Sequence, residues 1–111
     1  MNVDLDLPEP LDRYFAAQNA HEVEAMVACF AQDARVRDEA QDYRGQDDVR
    51  RWKEYTVAKY GISIEPLELR DEDDLTIVTA RVAGNFPGSP ANLTYSFGIS
   101  NDGLIRTLAI H

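Results

Sequence analysis

Along this chain the spacing of apolar residues switches from helical to alternating near position 61, which predicts helices first and strands afterwards. Pro8 and Pro10 suit the first turn of a helix, where a missing N–H costs little. Leu11, Tyr14, Phe15 and Gln18 follow at helical spacing. Asn19-Ala20-His21 breaks that run. Val23, Met26, Val27 and Phe30 then mark one face of a second short helix. Ala34 to Asp38 reads as a short strand, and Asp42 to Gly45 as a turn or a very short strand. A third helix is predicted from near Gln46, with Val49, Trp52, Thr56 and Tyr60 as its buried stripe and Gly61 as its stop.

Ile62 to Leu69 alternates, with Pro66 marking an edge or a bulge. Asp71-Glu72-Asp73-Asp74 is too charged for anything but an exposed turn. Leu75 to Gly84, Asn92 to Ser100 and Leu104 to His111 read as strands, joined by Pro87-Gly88-Ser89-Pro90 and by the hairpin turn Asn101-Asp102-Gly103. Within the second of these, Tyr95 shares a face with Leu93, Phe97 and Ile99, while Asn92, Thr94, Ser96 and Gly98 point the other way. Arg81 lies on the parity opposite Val78, Ala80 and Val82, which sends it to solvent. This order predicts one α+β domain over residues 1–111, with helices packed on one face of an antiparallel sheet.

Charge narrows the partners. The net charge of −9 argues against nucleic acid and against anionic membranes, since both require clustered Lys and Arg. The single cysteine, Cys29, sits in the helical stretch VEAMVACF as a small hydrophobe, and one thiol forms no intrachain disulfide. No Cys/His spacing suggests a metal. Residues 1–7 read as a loose acidic lead-in. The opening MNVDLDLPEP lacks the features of a signal peptide and no stretch is apolar for a membrane-spanning length, so a cytoplasmic protein is expected. His21, beside Glu22 and Glu24, reads as a surface residue at the bend between two helices.

The stretch Phe30-Ala31-Gln32-Asp33-Ala34-Arg35-Val36-Arg37-Asp38 has the form F-A-x-D-A-x-V-x-D. It resembles the helix-to-strand junction of the nuclear transport factor 2-like superfamily, and within it the ketosteroid isomerase and SnoaL-like branch. The likeness to a bacterial ketosteroid isomerase runs ungapped from Arg13 to Asp38, through Arg13-Tyr14, Ala16-Ala17 and Asn19-Ala20. It continues through Tyr43-Arg44-Gly45 and returns at Asn101-Asp102-Gly103. The resemblance implies a cystatin-like α+β roll, in which a strongly curved sheet forms a conical pocket. It also implies a homodimer through the outer sheet face.

By the same resemblance, Asp38 is the base that moves a proton on carbon beside a ketone, and Tyr14 donates a hydrogen bond to the developing oxyanion. Tyr95 falls where the isomerases carry a second donor, a protonated acid. A tyrosine supplies one hydrogen bond there without a large pKa shift. The tyrosine that supports the oxyanion tyrosine in the isomerases falls here on Lys53, with Tyr55 nearby, and the loop from Asp38 to Gly45 is shorter. Gln18, Trp52, Tyr55, Phe86, Phe97, Leu108 and Ile110 are the expected substrate-binding residues, and Asp33 is expected to satisfy backbone donors at the junction. The implied ligand is a small apolar carbonyl compound, handled without metal or cofactor in an isomerisation, cyclisation or dehydration. Two alternatives stay open. One is a non-catalytic binding or scaffold module. The other is an epoxide hydrolase, which would require a second acid beside an arginine, and no such acid is evident.

Overall fold

The computed structural model describes residues 7–111, so the acidic lead-in lies outside the described residues apart from Leu7. Helix α1 (Glu9–Asn19) begins at the proline pair, with Glu9 and Asp12 complementing the dipole in its first turn. His21 adopts a left-handed φ of 56° and turns the chain. Its ring bonds the Ile62 carbonyl at 3.1 Å. Helix α2 is shorter than its apolar spacing predicts, covering Val23–Val27. Phe30 is therefore not on that helix but opens strand β1 (Phe30–Asp38). A two-residue turn with Glu39 and Ala40 at positive φ leads to β2 (Gln41–Arg44).

Helix α3 (Gly45–Tyr60) ends where Gly61 takes φ 56°, ψ 47°, a left-handed cap whose N–H bonds the Val57 carbonyl. Strands β3 (Ser63–Glu72), β4 (Leu75–Ala83), β5 (Ala91–Ile99) and β6 (Ile105–Ile110) complete the chain. Pro66 lies on an edge strand, β3, and also beside an irregularity in its pairing with β4, so both readings of that proline hold.

The six-stranded sheet has the order β2-β1-β6-β5-β4-β3. It is mixed rather than antiparallel, because β6 runs parallel to β1 while the other neighbours are antiparallel. After the β3-β4-β5 meander, the last strand inserts between β5 and β1, and only a parallel alignment satisfies both. Asp33 is exposed. The junction is braced instead by Gln46, whose Nε2 donates to the Phe30 carbonyl at 2.9 Å, and by Asp48, which accepts the Arg44 N–H at 3.0 Å.

Aromatic packing fixes α1 to the sheet. Tyr14 meets Phe30 edge-on at 5.6 Å, and Phe15 meets Tyr95 and Phe97 edge-on at 5.8 Å each. Such pairs contribute about 0.5–1.5 kcal/mol each beyond area burial. This cluster fills one end of the space between helices and sheet.

A candidate active-site cavity

The other end stays open as a cavity of about 580 Å³. Its wall is largely apolar, built from Ile62, Ile64, Val82, Phe86, Leu93 and Ile110 among others. Polar groups converge on it from several elements: Gln18 from α1, Asp38 from the end of β1 with Glu39 beside it, Lys53, Thr56 and Tyr60 from α3, Tyr95 from β5, and His111 after β6. A mostly apolar hollow with a small number of convergent polar groups is the usual form of a small-molecule site.

Asp38 is half-buried where β1 ends. Its Oδ2 accepts a hydrogen bond from Trp52 Nε1 at 3.1 Å. Tyr43, from β2, stacks on the Trp52 ring at 5.6 Å and holds that indole in place. One carboxylate oxygen is thus fixed and the other has no partner among the described residues. Tyr95 is buried, yet its hydroxyl bonds no group among the described residues and is not enclosed as an orphan, so it opens on the cavity. Burial first, and then the Asp38 charge, raise its pKa above the ordinary tyrosine value, so the hydroxyl keeps its proton.

Lys53 is the polar residue least expected in this interior. It is 3% exposed. Its Nζ donates to the Tyr14 hydroxyl and, at 2.8 Å, to Gln18 Oε1, and lies 3.9 Å from the centre of the Trp52 ring. Among the described residues it joins no ion pair. Burial lowers its pKa from the usual 10.5 to about 7, partly opposed by the Asp38 charge. Gln18 is oriented by this amine and by its own Nε2, directed at the Ile62 carbonyl at 3.5 Å.

The expected site residues divide clearly. Asp38, Tyr95, Gln18, Trp52, Phe86 and Ile110 line the cavity. Tyr14 does not. It is fully buried behind Lys53, and burial, then Tyr95 and Asp38, push its pKa well up. Phe97 and Leu108 belong to the packed core, because the aromatic cluster and the β5–β6 pairing close over them. Tyr55 is half-exposed on the outer side of α3, with its hydroxyl accepting from Lys59 at 2.7 Å.

Sequence reasoning missed Lys53, Thr56 and Tyr60 as cavity residues. The signal for Lys53 was present. Val49, Trp52, Lys53 and Thr56 sit at i, i+3, i+4 and i+7, and these are the buried positions of α3. Lysine is so rarely buried that its type masked its position.

The profile of the SnoaL-like domain family matches residues 11–106. No curated protein matches the chain. Among solved structures, a Sinorhizobium meliloti protein provisionally assigned as a polyketide cyclase superposes with a TM-score of 0.90 at 39% identity, over 96% of each chain. The epoxide hydrolase/cyclase-like enzyme SalBIII, of pyran ring formation in salinomycin, is 21% identical with a TM-score of 0.80 over 92% of this chain and 86% of that one. A Catenulispora acidiphila protein of ketosteroid isomerase-like fold, in complex with trimethylamine, is 19% identical with a TM-score of 0.80 over 94% and 85%. At those identities the last two show likeness of fold alone.

Proposed function

The chain belongs to the SnoaL-like domain family, and we propose that it is a cytoplasmic enzyme acting on a small apolar carbonyl compound, as an isomerase or an aldol-type cyclase. Asp38 removes a proton from the carbon beside the carbonyl. The resulting enolate oxygen accepts a hydrogen bond from the Tyr95 hydroxyl, and Asp38 returns the proton to another atom, or the enolate attacks a second carbonyl of the same molecule. Tyr14 acts as a positioning residue through Lys53 rather than as a direct donor. The polyketide cyclase assignment of the 39%-identical relative supports the substrate class.

One observation carries this reading: the Asp38 carboxylate, half fixed by Trp52, and the Tyr95 hydroxyl, which bonds no other described residue, open on the same apolar hollow. The test is a panel of enones and linear poly-β-ketones assayed with wild type and Asp38→Asn. Turnover should fall by about 10²–10⁴-fold in the variant, with an unchanged melting temperature. Turnover retained in Asp38→Asn removes Asp38 as the base.

The commitment of the Tyr14 hydroxyl to Lys53 favours a second reading, a cavity that binds such a ligand without converting it. Saturable binding with no turnover across the panel would select it. We also propose a homodimer through the outer sheet face, on which Thr94, Ser96, Thr107 and Ala109 form a patch of small side chains between the exposed Arg35 and Arg81.

A further inference from the structure

We propose that Lys53 is a nucleophilic amine that condenses with an aldehyde or ketone bound in the cavity, giving this site an imine-dependent aldol or retro-aldol activity. The inference shares the carbonyl-ligand reading of the cavity but does not require Asp38 to act as the base of an isomerase.

The geometry is that of an amine held for attack. Two N–H groups of Nζ are taken by Tyr14 Oη and Gln18 Oε1, both uncharged acceptors. A neutral amine has two such hydrogens and, donating both, would keep its lone pair free, on a residue that forms part of the cavity wall. A lysine kept only for structure in an interior is normally paired with a carboxylate. No carboxylate lies within ion-pair distance of Lys53 among the described residues. Burial among apolar groups keeps a substantial fraction of the amine unprotonated near neutral pH, the usual way a Schiff-base lysine is activated. The titratable groups lining the cavity are Asp38 and Glu39 at the end of β1, Tyr60 of α3, Tyr95 of β5 and His111, while Tyr14 of α1 meets the amine from behind. Of these, the Asp38 charge opposes loss of the proton from Lys53.

The steps balance. The Nζ lone pair forms a bond to the carbonyl carbon while the C=O π pair moves to oxygen. The oxygen takes the proton released by the newly cationic nitrogen, giving a carbinolamine. One further proton on that oxygen lets it leave as water, and the nitrogen lone pair closes the C=N bond of an iminium. Loss of the neighbouring C–H proton to water, or loss of a β-hydroxyl proton with cleavage of the adjoining C–C bond to release a carbonyl fragment, delivers an electron pair to the iminium and forms an enamine. The enamine carbon then takes a proton, or attacks a second carbonyl whose oxygen takes one, which restores the iminium. Water adds to the C=N bond, and collapse of the carbinolamine returns the free amine, the carbonyl product and the proton used in dehydration.

The sequence contains two lysines, Lys53 and Lys59, so the molecule supplies its own control. Lys59 is exposed, and its bond to Tyr55 raises its pKa. Wild-type protein would be incubated at pH 7.5 with 3-phenylpropanal and sodium cyanoborohydride, and adducts located by peptide mass mapping. Labelling of Lys53 over Lys59 by about tenfold or more is the expected result. Labelling of Lys53 below that ratio, or no adduct at Lys53, overturns the proposal. Asp38→Asn separates the two ideas. If it loses turnover but still traps at Lys53, both stand. Lost turnover with untrapped Lys53 in wild type leaves only the base. Trapped Lys53 with unimpaired Asp38→Asn turnover leaves only the amine.

Discussion

Because the Lys53 amine has a folded pKa near 7 against 10.5 when exposed, its protonation is linked to folding. Between these values the unfolded chain binds a proton that the folded chain releases, so stability rises with pH across that window and is lost as pH falls toward 7. Wild type should therefore gain about 2 kcal/mol on Lys53→Met between pH 7 and pH 9, measured by urea unfolding at each pH. A parallel pH dependence in the two proteins would show that Lys53 is charged in the folded state. Trp52 acts on the neighbouring function. Trp52→Phe keeps an aromatic ring beneath Tyr43 but removes the N–H that fixes Asp38. It should lower kcat about tenfold with KM little changed, because a base held loosely is less often within reach of its proton.

At the scale of elements, α3 decides which groups meet. It delivers the bond to Asp38 from Trp52 and the amine from Lys53, and its length is set by the left-handed cap at Gly61. Nothing crowds the space where a Cβ would sit on Gly61, so Gly61→Ala isolates the backbone term. The substitution should cost about 1 kcal/mol in chemical denaturation, from the left-handed φ alone. The helix and its stop were legible in the sequence, as were β4, β5 and β6 to within a residue, because apolar spacing and turn residues are local signals. Strand β1 starts four residues earlier than read. Strand β3 runs on through Asp71 and Glu72, which the charge run assigns to a turn, because pairing with β4 extends the ladder there. The end of α2 was not legible either. Phe30 continues the helical spacing of Val23, Met26 and Val27, but its burial is obtained by opening β1 against Tyr14, a tertiary choice that local spacing does not contain.

For the whole molecule, the outer sheet face presents small residues flanked by arginines, and the proposed homodimer places two such faces together. Light scattering after gel filtration should give twice the chain mass, and Ser96→Arg should return it to the monomer value through like charge and lost fit across the symmetry axis. A single-chain mass for wild type would end that proposal. Catalytic loss on dissociation is not expected, because the cavity is walled by elements of one chain.

The sequence by itself determined the α+β class, the order of helices and strands, the inward parity of Tyr95 and, through the Phe30–Asp38 motif, the family. All of these depend on residues near one another in the chain. Only the tertiary structure decided that β6 lies parallel to β1, that Tyr14 stands behind Lys53, and that Tyr55 faces outward while Trp52 bonds Asp38. Whether a phenol or an amine reaches a cavity depends on side chains from α1, α3, β1 and β5 packing at one point. The free energy of burying each group there is set by neighbours distant in sequence.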